Sequence, residues 1–337
     1  MKSKIGELAV EDLIPQEETI LTITQGGYIK RINPAVYKIQ RRGGKGILGM
    51  KTLQDDIVEH FLTAMTHDSL LFFTDSGKVF RTPVYEIPEG TRVARGRGLL
   101  NFLEISPQEK VLSLVPYGKN EKALGINYLL MVTECGIIKK TVLDAFENVR
   151  RSGLIAIKLK GNDLMKKVSK TTGEDDVILV TRKGQSIRFK EKQIRPMGRG
   201  ASGVKGIRLK KDDKVIGSDI ILNQKSAEKD QKDQKKQKEY LLVVTENGSG
   251  KRTDVKDFRL QGRGGSGIKA AKITPKTGEL VFSKVLSGEE EDLIVISRKG
   301  QVIRAKITSI PVLGRATQGV RLMRLDEGDK VASATCV

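Results

Sequence analysis

Hydrophobic residues fall in short runs along this chain, and each run stops at the same kind of polar turn. Ile20–Thr24, Leu70–Thr74, Tyr128–Thr133 and Tyr240–Thr245 are runs of aliphatic, β-branched and aromatic residues closed by Thr. Runs this short, with glycine just beyond them, predict strands buried on both faces. A Thr/Ser-x-x-Gly turn follows six times, at Thr24–Gly27, Thr74–Gly77, Thr133–Gly136, Thr181–Gly184, Thr245–Gly248 and Ser297–Gly300. Its glycine supplies the positive φ that a tight hairpin needs. The second strand then carries a cation seven positions beyond the Thr or Ser: Arg31, Arg81, Lys140, Arg188, Arg252 and Arg304.

A second landmark is a glycine followed by an aliphatic residue: Gly46-Ile47, Gly98-Leu99, Gly153-Leu154, Gly203-Val204, Gly267-Ile268 and Gly319-Val320. In four repeats an arginine stands four residues ahead of it (Arg42, Arg199, Arg263 and Arg315). In the second and third repeats that place is Ala94 or Val149, with Arg95 or Arg150 next to it. Two further strands around an acidic or glycine-containing turn close each repeat, as at Lys210–Lys214 and Asp326–Asp329. Four strands in every ~50 residues, six times over and with almost no helical periodicity, predict an all-β, six-bladed propeller. The expected boundaries are a linker at 1–17 and one domain at 18–337. Its blades are 18–67, 68–126, 127–175, 176–222, 240–290 and 291–337. Residues 223–239 hold no aromatic and are read as a charged, flexible loop between the fourth and fifth blades.

Charge changes this picture from a scaffold to a binding surface. Lys and Arg number 61 against 41 Asp and Glu, a net +20 spread along the whole chain, and that points to a polyanionic partner. A repeated unit that presents one cation at a fixed site suits a polyanion held along a curved path. Aromatics make up 4% and tryptophan is absent, which argues against a stacking platform for single strands. Contacts to phosphate position a duplex without naming its bases, so weak sequence preference is expected. No apolar run approaches the ~20 residues of a membrane span, and the N-terminus lacks the apolar core of a leader peptide. Two separated cysteines, Cys135 and Cys336, suit a reducing cytoplasm, and with His60 and His67 they offer no metal-ligand spacing. No metal, nucleotide or other cofactor is expected.

The segment Gln40-Arg41-Arg42-Gly43-Gly44-Lys45-Gly46 resembles the gyrase A-box, the motif of the DNA gyrase A C-terminal domain family. Glu11–Ile14 and Gly27–Arg31 resemble the lead-in and first hairpin of that family, and Gln261–Gly267 is similar to a degenerate box. The glycines would let backbone approach a phosphate closely, and the arginine fork can hold two phosphate oxygens.

The resemblance implies a β-pinwheel, with strands exchanged between blades and a basic outer rim that wraps double-stranded DNA. It places the box at the closure between first and last blades. In the parent isomerase, the wrap would set the crossover handedness for ATP-dependent negative supercoiling. Its partners there would be the gyrase A N-terminal cleavage core and the ATP-binding gyrase B subunit. The chain alone is expected to be a cytoplasmic, nucleoid-associated, monomeric DNA binder that is not itself an enzyme. None of its six tyrosines follows an arginine, as the strand-cleaving tyrosine would. The alternatives are a propeller scaffold for protein partners and the C-terminal domain of topoisomerase IV. Besides the box, the expected DNA-binding residues are Lys30, Arg31, Arg81, Arg95, Arg97, Lys139, Lys140, Arg150, Arg188, Arg199, Lys251, Arg252, Arg263, Arg304 and Arg315. Turning ~40 bp through ~180° costs about 10 kcal/mol, which ~12 phosphate contacts could offset.

Overall fold

The computed structural model describes residues 13–24, 26–33, 58–91, 94–101, 103–118, 121–222, 238–288, 290–299 and 301–336. The box Gln40–Gly46 and most of the lysine-rich stretch 223–239 lie outside the described residues. The first repeat gives β1 (Glu18–Thr24), β2 (Tyr28–Ile32) and β3 (Val58–Met65). The second gives β4 (Ser69–Thr74), β5 (Lys78–Pro83), β6 (Arg97–Gly98) and β7 (Val111–Tyr117). The third gives β8 (Tyr128–Thr133), β9 (Ile137–Val142), β10 (Leu154–Ile155) and β11 (Met165–Thr171). From the fourth come β12 (Asp176–Thr181), β13 (Gln185–Lys190), β14 (Val204–Lys205) and β15 (Val215–Ile221). The fifth contributes β16 (Tyr240–Thr245), β17 (Ser249–Asp254), β18 (Ile268–Lys269) and β19 (Leu280–Leu286). The sixth contributes β20 (Asp292–Ser297), β21 (Val302–Lys306), β22 (Val320–Arg321) and β23 (Val331–Cys336). Short 3-10 turns are the remaining regular structure among the described residues.

Each sheet is built on the hairpin that the Thr/Ser-x-x-Gly turn closes, and all its pairs are antiparallel. The turn works the same way every time. The Thr or Ser hydroxyl accepts the backbone N–H four residues on, at 3.1–3.3 Å, in all six repeats. The glycine N–H closes on the Thr carbonyl, and Gly27, Gly77, Gly136, Gly184 and Gly248 have φ between 77° and 83°. The acidic closing turn feeds back onto this hairpin: Asp163, Asp213 and Asp329 accept backbone N–H groups of Cys135, Lys183 and Lys299.

A repeat does not complete its own sheet. Its two-residue strand pairs with the hairpin of the repeat before it: β6 with β2, β10 with β5, β14 with β9, β18 with β13 and β22 with β17. The sheets are therefore ordered β3-β1-β2-β6, β10-β5-β4-β7, β11-β8-β9-β14, β15-β12-β13-β18 and β19-β16-β17-β22. The sixth has three strands among the described residues, β21-β20-β23. This is the strand exchange that the family resemblance implies.

The chain forms two compact units, Met1–Gly125 with Phe146–Ala156 and Ile126–Ala145 with Ile157–Val337. In the first, Leu21, Ile23, Ile29, Leu70, Phe72 and Phe80 bury the faces between two sheets. In the second, three such cores lie between successive sheets, around Ile187 and Phe189, around Val243 and Phe258, and around Val295 and Met323. In that unit β11, β15, β19 and β23 pack beside one another in succession, so the exchanged strands form the far edges of the sheets.

The second repeat corrects one landmark. Gly203, Gly267 and Gly319 have positive φ, and a Cβ there would sit 2.3–2.7 Å from a carbonyl oxygen of the opposing strand. In the second repeat the glycine with that geometry is Gly96, 2.5 Å from the Ile29 oxygen, and Gly98 pairs with Tyr28 two residues further on. The landmark therefore keeps its 22-residue offset from Thr74, and the arginine four positions ahead is Arg92, outside the described residues.

Candidate nucleic-acid interface

The cation seven residues beyond the turn is tied down in the structure rather than offered to a ligand. Arg31 donates to the Ile87 carbonyl at 2.9 Å and pairs with Glu89 at 3.3 Å. Lys140 is buried against Glu191 at 3.3 Å and lies 4.8 Å from the Tyr128 ring centre. Arg188 donates to Asp176 at 2.7 and 3.1 Å and to the Val255 carbonyl at 3.1 Å. Arg252 donates to the carbonyls of Ile310 and Thr308 and stacks 5.2 Å from Tyr240. Arg81 lies 5.6 Å from Tyr117, and Arg304 is held by Asp292. The cause is topological. In four repeats this residue forms a parallel bridge to the next repeat, to Glu89, Pro196, Leu260 or Val312. Its side chain then meets carbonyls and a carboxylate or ring, and these take up its charge. In four repeats this most regular cation of the sequence is thus a suture between successive repeats, a placement that departs there from the expectation that it faces a phosphate.

The neighbouring lysines depart further. Lys30, Lys139 and Lys251 are buried, at 1%, 0% and 0% exposure. Lys30 donates to the carbonyls of Thr91 and Ala94 at 3.0 and 2.7 Å. Lys139 donates to the Arg199 carbonyl. Lys251 donates to the carbonyls of Gly314 and Arg315, both at 2.7 Å, and to Thr317 Oγ1 at 3.1 Å. Burial lowers all three below the ordinary lysine range; burial together with the charge of Arg199 or Arg315 brings Lys139 and Lys251 to about 8. None of the three ammonium groups can reach a surface phosphate.

The arginines ahead of the landmark glycine sit at junctions between repeats. Arg263 donates to the Lys205 carbonyl at 2.5 Å and the Gln193 carbonyl at 3.2 Å, and Arg315 donates to the Lys269 carbonyl at 3.1 Å. Arg199 is half-buried in the turn that Lys139 holds. Arg95, Arg97 and Arg150 are exposed; Arg95 lies 3.9 Å from the Tyr28 ring centre, and Arg97 reaches the Asn101 carbonyl at 3.4 Å.

A different set of cations stands in solvent, and sequence reasoning missed it. Counting from the landmark glycine, positions two and five beyond are Lys205 and Arg208, Lys269 and Lys272, and Arg321 and Arg324 in the last three repeats. The third repeat has Ile155 and Lys158. All seven cations are exposed, and among the described residues no carboxylate pairs with any of them. Lys205, Lys269 and Arg321 lie on the exchanged strands β14, β18 and β22, at the sheet edges far from β11, β15, β19 and β23. Backbone bonds link these stations to the next repeat: Lys158 N–H to Ala201, Arg208 N–H to Gly265 and Lys272 N–H to Thr317. The signal was present as a Gly-aliphatic-(Lys/Arg)-x-x-(Lys/Arg) pattern, but the more regular seventh-position cation masked it. Solvated cations without counter-charges, repeated at one register, can bind a line of phosphates electrostatically.

The family model described as "DNA gyrase C-terminal domain, beta-propeller" matches residues 18–64, 68–116, 127–171, 175–221, 239–287 and 291–337. DNA gyrase A of Staphylococcus epidermidis is 40% identical over 333 residues, 99% of this chain and 36% of that protein. Its Staphylococcus aureus counterpart is 39% identical over 331 residues, 98% of this chain and 36% of its own length. The chain thus spans about a third of the curated relatives it matches. Among solved structures, the C-terminal domain of DNA topoisomerase IV matches with a TM-score of 0.78 at 25% identity, over 96% of this chain and 94% of that one. The DNA gyrase A C-terminal domain matches with a TM-score of 0.70 at 24% identity, over 95% and 99%, a likeness of fold. With six matched segments covering most of its length, the chain belongs to the β-propeller family of DNA gyrase C-terminal domains.

Proposed function

We propose that this chain binds duplex DNA without sequence preference and bends it along the edges of its blades. In the parent topoisomerase the bend sets the crossover that ATP-driven strand passage converts into negative supercoils. The single observation that carries this reading is the row of exposed cations, paired with no carboxylate among the described residues, at one register of successive exchanged strands: Lys205 with Arg208, Lys269 with Lys272, and Arg321 with Arg324. Arg95, Arg97 and Arg150, exposed at the turns, add cations in the earlier repeats. The box residues Gln40, Arg41, Arg42, Gly43, Gly44, Lys45 and Gly46 are proposed to complete the wrap. Its partners in that assembly are gyrase B and the cleavage core of gyrase A, and the chain alone carries out no chemistry.

Closing relaxed circular DNA with ligase in the presence of the protein tests wrapping. A shift in linking number that grows with protein supports it, and an unchanged linking number at stoichiometric protein refutes it. Replacing Arg41, Arg42 and Lys45 by Ala should remove that shift while weakening simple binding less.

A further inference from the structure

Two different devices hold the turn that carries the arginine ahead of the landmark glycine. In the fourth and sixth repeats a lysine of the preceding repeat holds it from within. Lys139 donates to the Arg199 carbonyl, and Lys251 donates to the carbonyls of Gly314 and Arg315 and to Thr317 Oγ1. For the turn of the fifth repeat, that register of the preceding strand is Ile187. Its Cδ1 lies 3.6 Å from where a Cβ on Gly265 would stand, and it has no donor to offer. This turn is held from outside instead. Gln193 Oε1 accepts the Arg263 backbone N–H at 2.7 Å, and Gln193 Nε2 donates to the Gln261 carbonyl at 3.4 Å. Arg263 completes the clasp: Nε donates to the Gln193 carbonyl at 3.2 Å and Nη1 to the Lys205 carbonyl at 2.5 Å. In the third and fifth repeats the place of Gln193 is taken by Ala145 and Asp257, and neither side chain carries an amide.

How a turn is held decides what its guanidinium has left for a ligand. An arginine grips a phosphate with two parallel N–H groups, from Nε with Nη2 or from Nη1 with Nη2. On Arg263 the bonds made by Nε and Nη1 interrupt both pairs. Arg315 uses Nη1 alone, on the Lys269 carbonyl at 3.1 Å, and keeps the pair of Nε with Nη2. Arg199 makes no side-chain hydrogen bond or ion pair among the described residues. Both of these turns adjoin the row of exposed cations, since Lys158 N–H reaches the Ala201 carbonyl and Lys272 N–H the Thr317 carbonyl. We propose that Arg199 and Arg315 are bidentate phosphate contacts of the duplex, whereas Arg263, at the same register, is a clasp between repeats that grips no phosphate. This assignment rests on the duplex-binding reading above.

Titrating a fluorescently labelled ~40 bp duplex with the 337-residue chain over a range of salt concentrations, read by anisotropy, separates the two roles. The variant carrying Arg199→Ala and Arg315→Ala should lose about 2 from the steepness of log affinity on log salt. Its thermal midpoint should stay within about 2 °C, because the lysines still hold both turns. Arg199→Lys with Arg315→Lys keeps the charge and removes the fork, so the slope should persist while affinity at one salt concentration falls about tenfold. Arg263→Ala should instead lower the thermal midpoint by about 3–5 °C and leave the slope within about 0.3. An unchanged slope in the folded double alanine variant overturns the proposal, and so does unchanged affinity in the double lysine variant. A slope reduced by about 1 in folded Arg263→Ala overturns the clasp assignment. If Arg263→Ala does not fold, the two double variants decide. Failure of the unsubstituted chain to bind duplex at low salt instead refutes the reading beneath.

Discussion

At the scale of single residues, the chain separates cations that hold the fold from cations that face solvent. Arg188 bridges Asp176 and the Val255 carbonyl, so Arg188→Ala leaves that buried carboxylate with only Lys190, 3.8 Å away, as its cation. That change should lower stability by about 2–4 kcal/mol, read by chemical denaturation, with DNA affinity changed mainly through folding. Lys205→Ala with Arg208→Ala should do the reverse, leaving the midpoint within about 0.5 kcal/mol and reducing the slope of log affinity on log salt by about 2. Backbone space is as specific as charge. At Gly267, φ is +74° and a Cβ would stand 2.3 Å from the Ser186 oxygen, whereas at Gly262 it would meet nothing within 4 Å. Gly267→Ala should therefore cost about 2–4 kcal/mol in denaturant unfolding and Gly262→Ala almost nothing.

At the scale of the element, the repeating hairpin is one hydrogen-bonded device. Thr181 shows its full form: its hydroxyl accepts the Gln185 N–H at 3.2 Å and donates to Asp213 at 2.7 Å. Thr181→Val keeps the shape and strands both partners, so a loss of about 1–3 kcal/mol is expected in thermal or urea unfolding. This is the part of the structure most legible beforehand, because turn chemistry is local: Thr24, Thr74, Thr133, Thr181, Thr245 and Ser297 mark all six hairpins. The landmark glycine was legible except in the second repeat, where Gly98 masquerades as the position that Gly96 fills. What a cation touches was not legible. Whether Arg188 or Lys205 meets solvent depends on which segment of the next repeat arrives beside it, a contact 67 residues away in sequence for Arg188 and Val255. Regularity along the chain pointed to Arg31, Lys140 and Arg188 because a suture between repeats must recur as strictly as a binding site does.

At the scale of the whole molecule, stability should respond to alkali. Lys139 and Lys251, lowered by burial to about 8, lose their protons in the folded chain while the unfolded chain keeps them to about 10.4. Between those values the unfolded state binds more protons, so these two lysines make the fold gain stability as pH rises from about 8 to about 10. Denaturation midpoints measured across that window should rise relative to the Lys139→Met, Lys251→Met variant.

Duplex phosphates laid along the cations of the exchanged strands would make binding steeply dependent on salt, and that dependence is the most direct measure of where they lie. With about 12 phosphate contacts, the logarithm of affinity should fall with a slope near −10 against the logarithm of salt concentration. Replacing Lys205, Arg208, Lys269, Lys272, Arg321 and Arg324 together by Ala should flatten that slope by about 5 without lowering the thermal midpoint. A slope that stays near −10 in the folded sixfold variant would contradict this placement of the DNA.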